Sequence, residues 1–147
     1  MLEKMKSLIG EHGTCVLATV GPDQRPHCSL MSYLPSEDCR RLYLLTGRAT
    51  RKYRNMAANP QVSLLLDTRA TGAASGLEGV VYALVMEGRF TPLPEGSEKA
   101  ELTRRLLARH PHLAELAAGL DSELVAVVIG RLQLLEGPVK AHFASMD

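Results

Sequence analysis

Residues 42–67, LYLLTGRATRKYRNMAANPQVSLLLD, decide the fold. The apolar run Leu42 to Leu45 reads as a strand, and it turns at Thr46 and Gly47 into a stretch carrying Arg48, Arg51, Lys52 and Arg54. From Thr50, placed as N-cap, a helix is expected to run to about Ala58, where Asn59 and Pro60 end it. Gln61 to Asp67 then returns as a second strand. The basic residues therefore occupy a strand-to-helix corner.

Between Cys39 and Leu66 the charged residues are Arg40, Arg41, Arg48, Arg51, Lys52 and Arg54, with no acidic residue among them. A solvated helix face is the plain reading of such a run. Position argues for more. The first turn of a helix carries unpaired N–H groups and a dipole that favours anions, so cations there are misplaced unless an anion sits with them. Gly47 lets backbone approach closely, and the hydroxyls of Thr46 and Thr50 can donate to oxygen. The corner has the parts of a phosphate cradle. No GxxxxGK[ST] loop and no strand-linked GxGxxG occur, which disfavours nucleoside triphosphates and Rossmann dinucleotides and leaves a monophosphate ester. Single-stranded nucleic acid needs aromatic platforms, and this chain has no Trp, four Tyr and two Phe.

Outward from this corner, Leu2, Met5, Leu8 and Ile9 mark one face of a short helix closed by Gly13 as its C′ residue. TCVLATV and HCSLMSYL, joined by GPDQRP, read as an antiparallel hairpin. Residues 68–79 have no usable period and are expected to form a loop. VVYALVMEGRFTPL is a long strand whose continuous apolar run suggests burial on both faces, with Gly88 at a bulge or barrel corner. Residues 97–120 read as a helix with Leu102, Leu106 and Leu107 inward, broken at Pro111. ELVAVVIGRLQLLEG and VKAHFA close the pattern as strands. The fold class expected is α+β, a small antiparallel barrel of about six or seven strands with flanking helices, since closure removes exposed edges.

The chain of 147 residues suits a single domain, 1–147, with a hydrophobic core of its own. Its formal net charge of +1 gives no global attraction to nucleic acid or acidic membrane, so any electrostatic function must be local. The start lacks the uninterrupted apolar region of a secretory signal, and the apolar runs are shorter than the ~20 residues of a membrane span. Cys15, Cys28 and Cys39 are an odd set without CxxC spacing, which suits free thiols in a cytoplasmic protein and argues against a disulfide framework and a zinc site, so no metal is expected.

ATVGPDQRPHCSLMSY followed by LYLLTGRATRKYRNMAANPQVSLLLD resembles the pyridoxamine 5′-phosphate oxidase-like FMN-binding split-barrel superfamily over residues 14–67, with a looser fit of the later strands. The resemblance implies that the basic corner grips the FMN phosphate through Arg48, Thr50, Arg51 and Lys52. It implies that Ser29, Leu30 and Met31 line the flavin ring, and that Thr46 and Gly47 meet the ligand at the end of the third strand. It also implies a homodimer with the flavin site at the subunit interface, and a small-molecule substrate. Deazaflavin or haem are alternative occupants known among related subgroups. True pyridoxamine 5′-phosphate oxidases carry an arginine-containing C-terminal motif for the substrate phosphate. This chain ends GPVKAHFASMD, so the expectation is an FMN-dependent oxidoreductase on another small molecule. The alternative is a flavin or haem carrier or sensor without turnover.

Each charge-assisted hydrogen bond to phosphate contributes about 1.5–3 kcal/mol. Burying a flavin-sized ring adds about 4–6 kcal/mol before ordering costs. Together these reach about −8 kcal/mol, or micromolar affinity. No catalytic acid is required, because the flavin carries the electrons. His27 is read as structural, Glu87 as paired or at the barrel rim, and Cys28 as facing the ligand or the core by strand alternation, with the core preferred. His110 and His112 make a poor metal pair without acidic or cysteine partners.

Overall fold

A computed structural model of the chain describes residues 1–68 and 82–146. The elements run α1 (Leu2–Glu11), β1 (Thr14–Val20), β2 (Pro26–Pro35), β3 (Arg41–Gly47), α2 (Arg51–Ala58), β4 (Gln61–Asp67), β5 (Tyr82–Pro92), α3 (Ser97–Arg109), a 3-10 turn (Pro111–Leu113), α4 (Ala114–Ala118), β6 (Ser122–Glu136) and β7 (Lys140–Ser145). The loop expected over 68–79 falls almost wholly outside the described residues.

All strand pairings are antiparallel, in the order β3-β2-β1-β4-β5-β6-β7, and β3 also pairs with β6. Six strands thus close on themselves and β7 extends the sheet from the far half of β6. The reason is visible in β6, which is 15 residues long. Its first half pairs with β3 from Gly47↔Ser122 to Arg41↔Val128, and its second half pairs with β7 from Arg131↔Ser145 to Glu136↔Lys140. The expected bulge at Gly88 is present, with the β5–β6 register shifting between Met86 and Gly88. A Cβ at Gly88 would lie 2.4 Å from Val127 Cγ1, so the close approach itself requires glycine.

The barrel interior is filled by Leu17, Tyr33, Leu42, Leu44, Leu64, Leu66, Leu84 and Met86, with Met5, Leu8 and Ile9 of α1 packed into the same core. A second cluster lies outside the barrel wall, where Leu34, Tyr43, Leu45, Leu124 and Ala126 meet Leu102 and Leu106 of α3. β3 is therefore buried on both faces, as its pattern shows.

Three sequence expectations are corrected. Gly13 does not adopt the left-handed conformation of a helix-ending glycine. α1 stops because His12 is extended (φ −102°, ψ 166°), its ring Nδ1 hydrogen-bonding Leu8 O at 2.8 Å. Gly13 is small for another reason: a Cβ there would stand 2.9 Å from His110 Cε1. β5 is not buried on both faces; inward Leu84 and Met86 alternate with half-exposed Ala83 and Val85. Cys28 is exposed, because it precedes Ser29 and Met31, which share the inward side of β2. Cys15 and Cys39 are buried, and burial pushes the Cys15 thiol up to about 12. Glu87 is paired, accepting from Arg131 Nε at 2.8 Å.

Candidate functional site

The site begins where two strands separate. β2 pairs with β3 only over Tyr33↔Leu44, Leu34↔Tyr43 and Pro35↔Leu42, while residues 26–32 pair with β1 alone. β3 continues against β6 instead. The slot opened between them is a cavity of about 380 Å³. Leu30, Met31 and Ser32 form one lip, and Leu45, Thr46 and Gly47 the other. Thr50 and Lys52 bring the first turn of α2 to its edge. The far wall is His112, Leu113 and Leu116, from the 3-10 turn and α4. The result is a mostly apolar slot with a cationic end.

Thr50 is the N-cap expected of it: its Oγ1 accepts from Tyr53 N at 3.3 Å and donates to Gly47 O at 2.7 Å. Thr46 Oγ1 lies 3.1 Å from Thr50 Oγ1. Because the one Thr50 proton is directed at Gly47 O, Thr46 must be the donor of that pair. Both hydroxyl protons are thus engaged within the chain. The N–H groups of Arg51 and Lys52, however, take no acceptor among the described residues. Those two amides and the Lys52 ammonium are the donors ready for an anion.

The other expected site residues go elsewhere. Arg48 Nη1 donates to Glu123 Oε2 at 3.0 Å and its Nη2 to Leu120 O at 2.9 Å, so this guanidinium ties the corner to β6. Ala49 N donates to Asp121 Oδ2 at 3.1 Å. The corner has no acidic neighbour along the chain, yet the fold brings Asp121 and Glu123 to it from more than 70 residues away. Burial alone would raise the Glu123 carboxyl, but hydrogen bonds from Lys99 and Arg48 outweigh it and hold the group below the usual carboxylate range. Lys99, almost wholly buried, also donates to Glu95 Oε1 at 2.6 Å. Arg51 lines a neighbouring cleft with Arg25 and Arg54. Ser29 is half-buried on β2, beside the slot's lip without lining it.

His112 is the functional candidate that sequence reasoning passed over. Its Nε2 lies 3.2 Å from Ser32 Oγ, and its ring stands edge-on to His110 at 5.8 Å. His110 is fixed by a 2.9 Å contact between its Nε2 and Tyr33 O, and burial first, then Arg109 and His112, lowers its pKa. The sequence signal was the helix break at His110-Pro111-His112. Nothing in the sequence tied that turn to Ser32, 80 positions away.

The barrel is split between β2 and β3, and the unengaged N–H groups of Arg51 and Lys52 stand at the head of the following helix, beside the slot. Residues 1–136 match the family model described as pyridoxamine 5′-phosphate oxidase, and the chain belongs to that family. A pyridoxamine 5′-phosphate oxidase homolog of Schizosaccharomyces pombe is 35% identical over 114 residues, an alignment taking in 60% of this chain and 58% of the relative. The chain therefore spans less than two thirds of that relative's length. Among solved structures, a haem-binding protein from Mycobacterium smegmatis superposes with a TM-score of 0.80 at 17% identity, covering 97% of this chain and 57% of that one. A FAD-binding protein from Mesorhizobium loti superposes with a TM-score of 0.71 at 19% identity, covering 97% and 94%. At these identities the superpositions establish the split-barrel fold.

Proposed function

We propose that the protein is an FMN-binding flavoprotein acting as an oxidoreductase on a small molecule. The observation that carries this reading is the pairing of an apolar slot with unsatisfied donors at one end. The flat slot between Leu30, Met31 and Leu45 suits an aromatic ring system, and the N–H groups of Arg51 and Lys52 with the Lys52 ammonium suit a phosphate dianion. Thr50 would join them by turning its proton from Gly47 O to the ligand. Arg48 supports the corner from behind through Glu123, and Arg51 is within one residue of the cradle with a side chain free to turn toward it. Gly47 shapes the lip, and Ser29 stands beside it. When bound, the flavin supplies hydride or electron transfer; the chain's own residues bind, orient and shield it. His112, hydrogen-bonded to Ser32, is the group placed to hold a proton at the far wall.

The site is proposed to be completed by a second copy of this chain. One outward-facing row crosses the sheet by register: Leu30, Val16, Leu65, Val85, Gln133 and Phe143. Leu30 and Phe143 are 79% and 73% exposed. Such a row on both β2 and β5 is an apolar face that a partner would cover, and it begins at the lip of the slot. A homodimer placing this face against itself would enclose the flavin. No helix among the described residues is long and apolar enough to cross a membrane.

A visible absorption spectrum of the purified protein with mass analysis of the released ligand tests the reading. FMN bands, and their weakening by about tenfold in retained ligand for Lys52→Ala, support it. A Soret band that is lost in His112→Ala instead supports the second reading, a haem carrier, for which His112 on the cavity wall is the specific observation. Bound FMN that reoxidises no faster than free FMN supports carriage without turnover.

A further inference from the structure

We infer that Asp121, the residue leading into β6, positions the phosphate end of the slot and through its charge limits how tightly that end holds a dianion. The inference rests on the phosphate reading of the corner at Thr50 and Lys52. Asp121 meets this corner through main chain and side chain together. Arg48 N donates to Asp121 O at 2.8 Å, and Ala49 N donates to Asp121 Oδ2 at 3.1 Å. Gly47 makes room for the same carboxylate: a Cβ there would stand 2.9 Å from Asp121 Oδ2 and 3.4 Å from Thr50 Cγ2. Its backbone is not left-handed, so this close approach is what calls for glycine.

Asp121 decides which donors the corner has left. Thr50 N donates to Gly47 O at 3.1 Å, Tyr53 N to Thr50 Oγ1 at 3.3 Å and Arg54 N to Thr50 O at 3.1 Å. With Arg48 N and Ala49 N held by Asp121, the two free amides are those of Arg51 and Lys52, and the bonds that fix the preceding turn also fix their direction. The hydrogen bonds of Asp121 thus favour the anion site.

Its charge opposes that site. The carboxylate is exposed and has no cationic partner among the described residues. Arg48 is engaged by Glu123 and Leu120 O, and Lys99 by Glu123 and Glu95. Asp121 is therefore a negative charge already seated at the positive end of α2, bonded three residues ahead of the Lys52 amide. A phosphate dianion bound at that amide comes within a Debye length of about 8 Å and is repelled. One residue shapes the cradle and weakens it, so the phosphate ester is held exchangeably.

The test is fluorescence titration of the full chain, stripped of ligand, with FMN and with riboflavin, which lacks the phosphate. Asp121→Asn keeps an acceptor for Ala49 N and loses the charge; it should bind FMN about three- to tenfold more tightly than the parent. Raising the salt concentration should narrow that gap. Asp121→Ala loses the acceptor as well and should bind FMN at least about fivefold more weakly than Asp121→Asn. Riboflavin affinity should stay within about twofold throughout, whereas a merely structural role would move FMN and riboflavin together. Should Asp121→Ala fail to fold, Asp121→Asn against the parent decides alone. The inference is overturned if Asp121→Asn binds FMN no more tightly than the parent, or if folded Asp121→Ala matches Asp121→Asn. It is equally overturned if riboflavin affinity shifts with that of FMN, or if the parent binds the two alike. A parent that binds neither sinks the flavin reading, and inorganic phosphate then decides for Asp121. Its addition should move the Arg51 and Lys52 amide resonances, at lower concentration in Asp121→Asn than in the parent; unmoved resonances, or equal concentrations, overturn the inference too.

Discussion

Thr50 makes the head of α2 depend on one hydroxyl. Replacing it by alanine removes the N-cap acceptor of Tyr53 N, a loss of about 0.5–2 kcal/mol. It also removes the acceptor of the Thr46 hydroxyl, which is 1% exposed and cannot turn to water. Leaving such a group unsatisfied costs about 1–3 kcal/mol. The two are in one network, so the sum is best read as about 2–4 kcal/mol, equivalent to a fall in Tm of about 5–15 °C for a chain of this length. Thr50→Ser keeps the hydroxyl and should stay within about 0.5 kcal/mol of the parent. Thermal and urea unfolding of ligand-free protein, followed by circular dichroism, decide the matter. If Thr50→Ser falls as far as Thr50→Ala, the lost methyl contact is what matters and the hydroxyl chain has been misread. If neither falls, the cap contributes nothing.

Glu123 gives a pH-dependent prediction. Its folded pKa lies below the ordinary ~4.3, so its stabilisation is present above that value and is lost as pH falls through the lower folded value. Glu123→Gln should flatten the acid limb of the urea midpoint against pH and lower the plateau, since Lys99 retains Glu95 as its only acidic partner among the described residues. Gly88→Ala should cost about 1–3 kcal/mol in denaturant unfolding, because its Cβ overlaps Val127. Leu65→Arg, on the outward-facing row, should abolish the proposed homodimer in sedimentation with far-ultraviolet circular dichroism unchanged. Brief alkylation with mass analysis should label Cys28 before Cys15 and Cys39 in that variant, and Cys28 more slowly in the parent if the proposed partner covers β2.

The run 42–67 revealed the fold because each of its signals is local. The apolar period, the Thr50 cap and the Asn-Pro stop are all contained in neighbouring residues, and each appears in place in β3, α2 and β4. The site was half legible for the same reason. Leu30, Met31, Thr46, Gly47, Thr50 and Lys52 come together because strand alternation and helix start fix them. Arg48 is expected from the resemblance to grip a phosphate, whereas the structure shows it held by Glu123 and Leu120 O from across the barrel, partners too distant for any spacing rule to show. Arg51 and Lys52, adjacent in sequence, open onto different cavities because successive helical residues diverge by about 100°. Cys28 was misplaced because an apolar outer face defeats the rule that apolar means inward.

The double allegiance of β6 has a dynamic consequence. Between Val125 and Ile129 it is stitched along both edges, to β3 or the strand-entry residue Arg40 on one side and to β5 on the other. Its amides there should be the last in the molecule to exchange with deuterated solvent. β7, holding on by a single edge, can peel and reanneal without breaching the closed ring, so the far-end amides of the same strand that face β7 rather than β5 should lose protection far sooner. One continuous strand would then report two opening events of very different frequency.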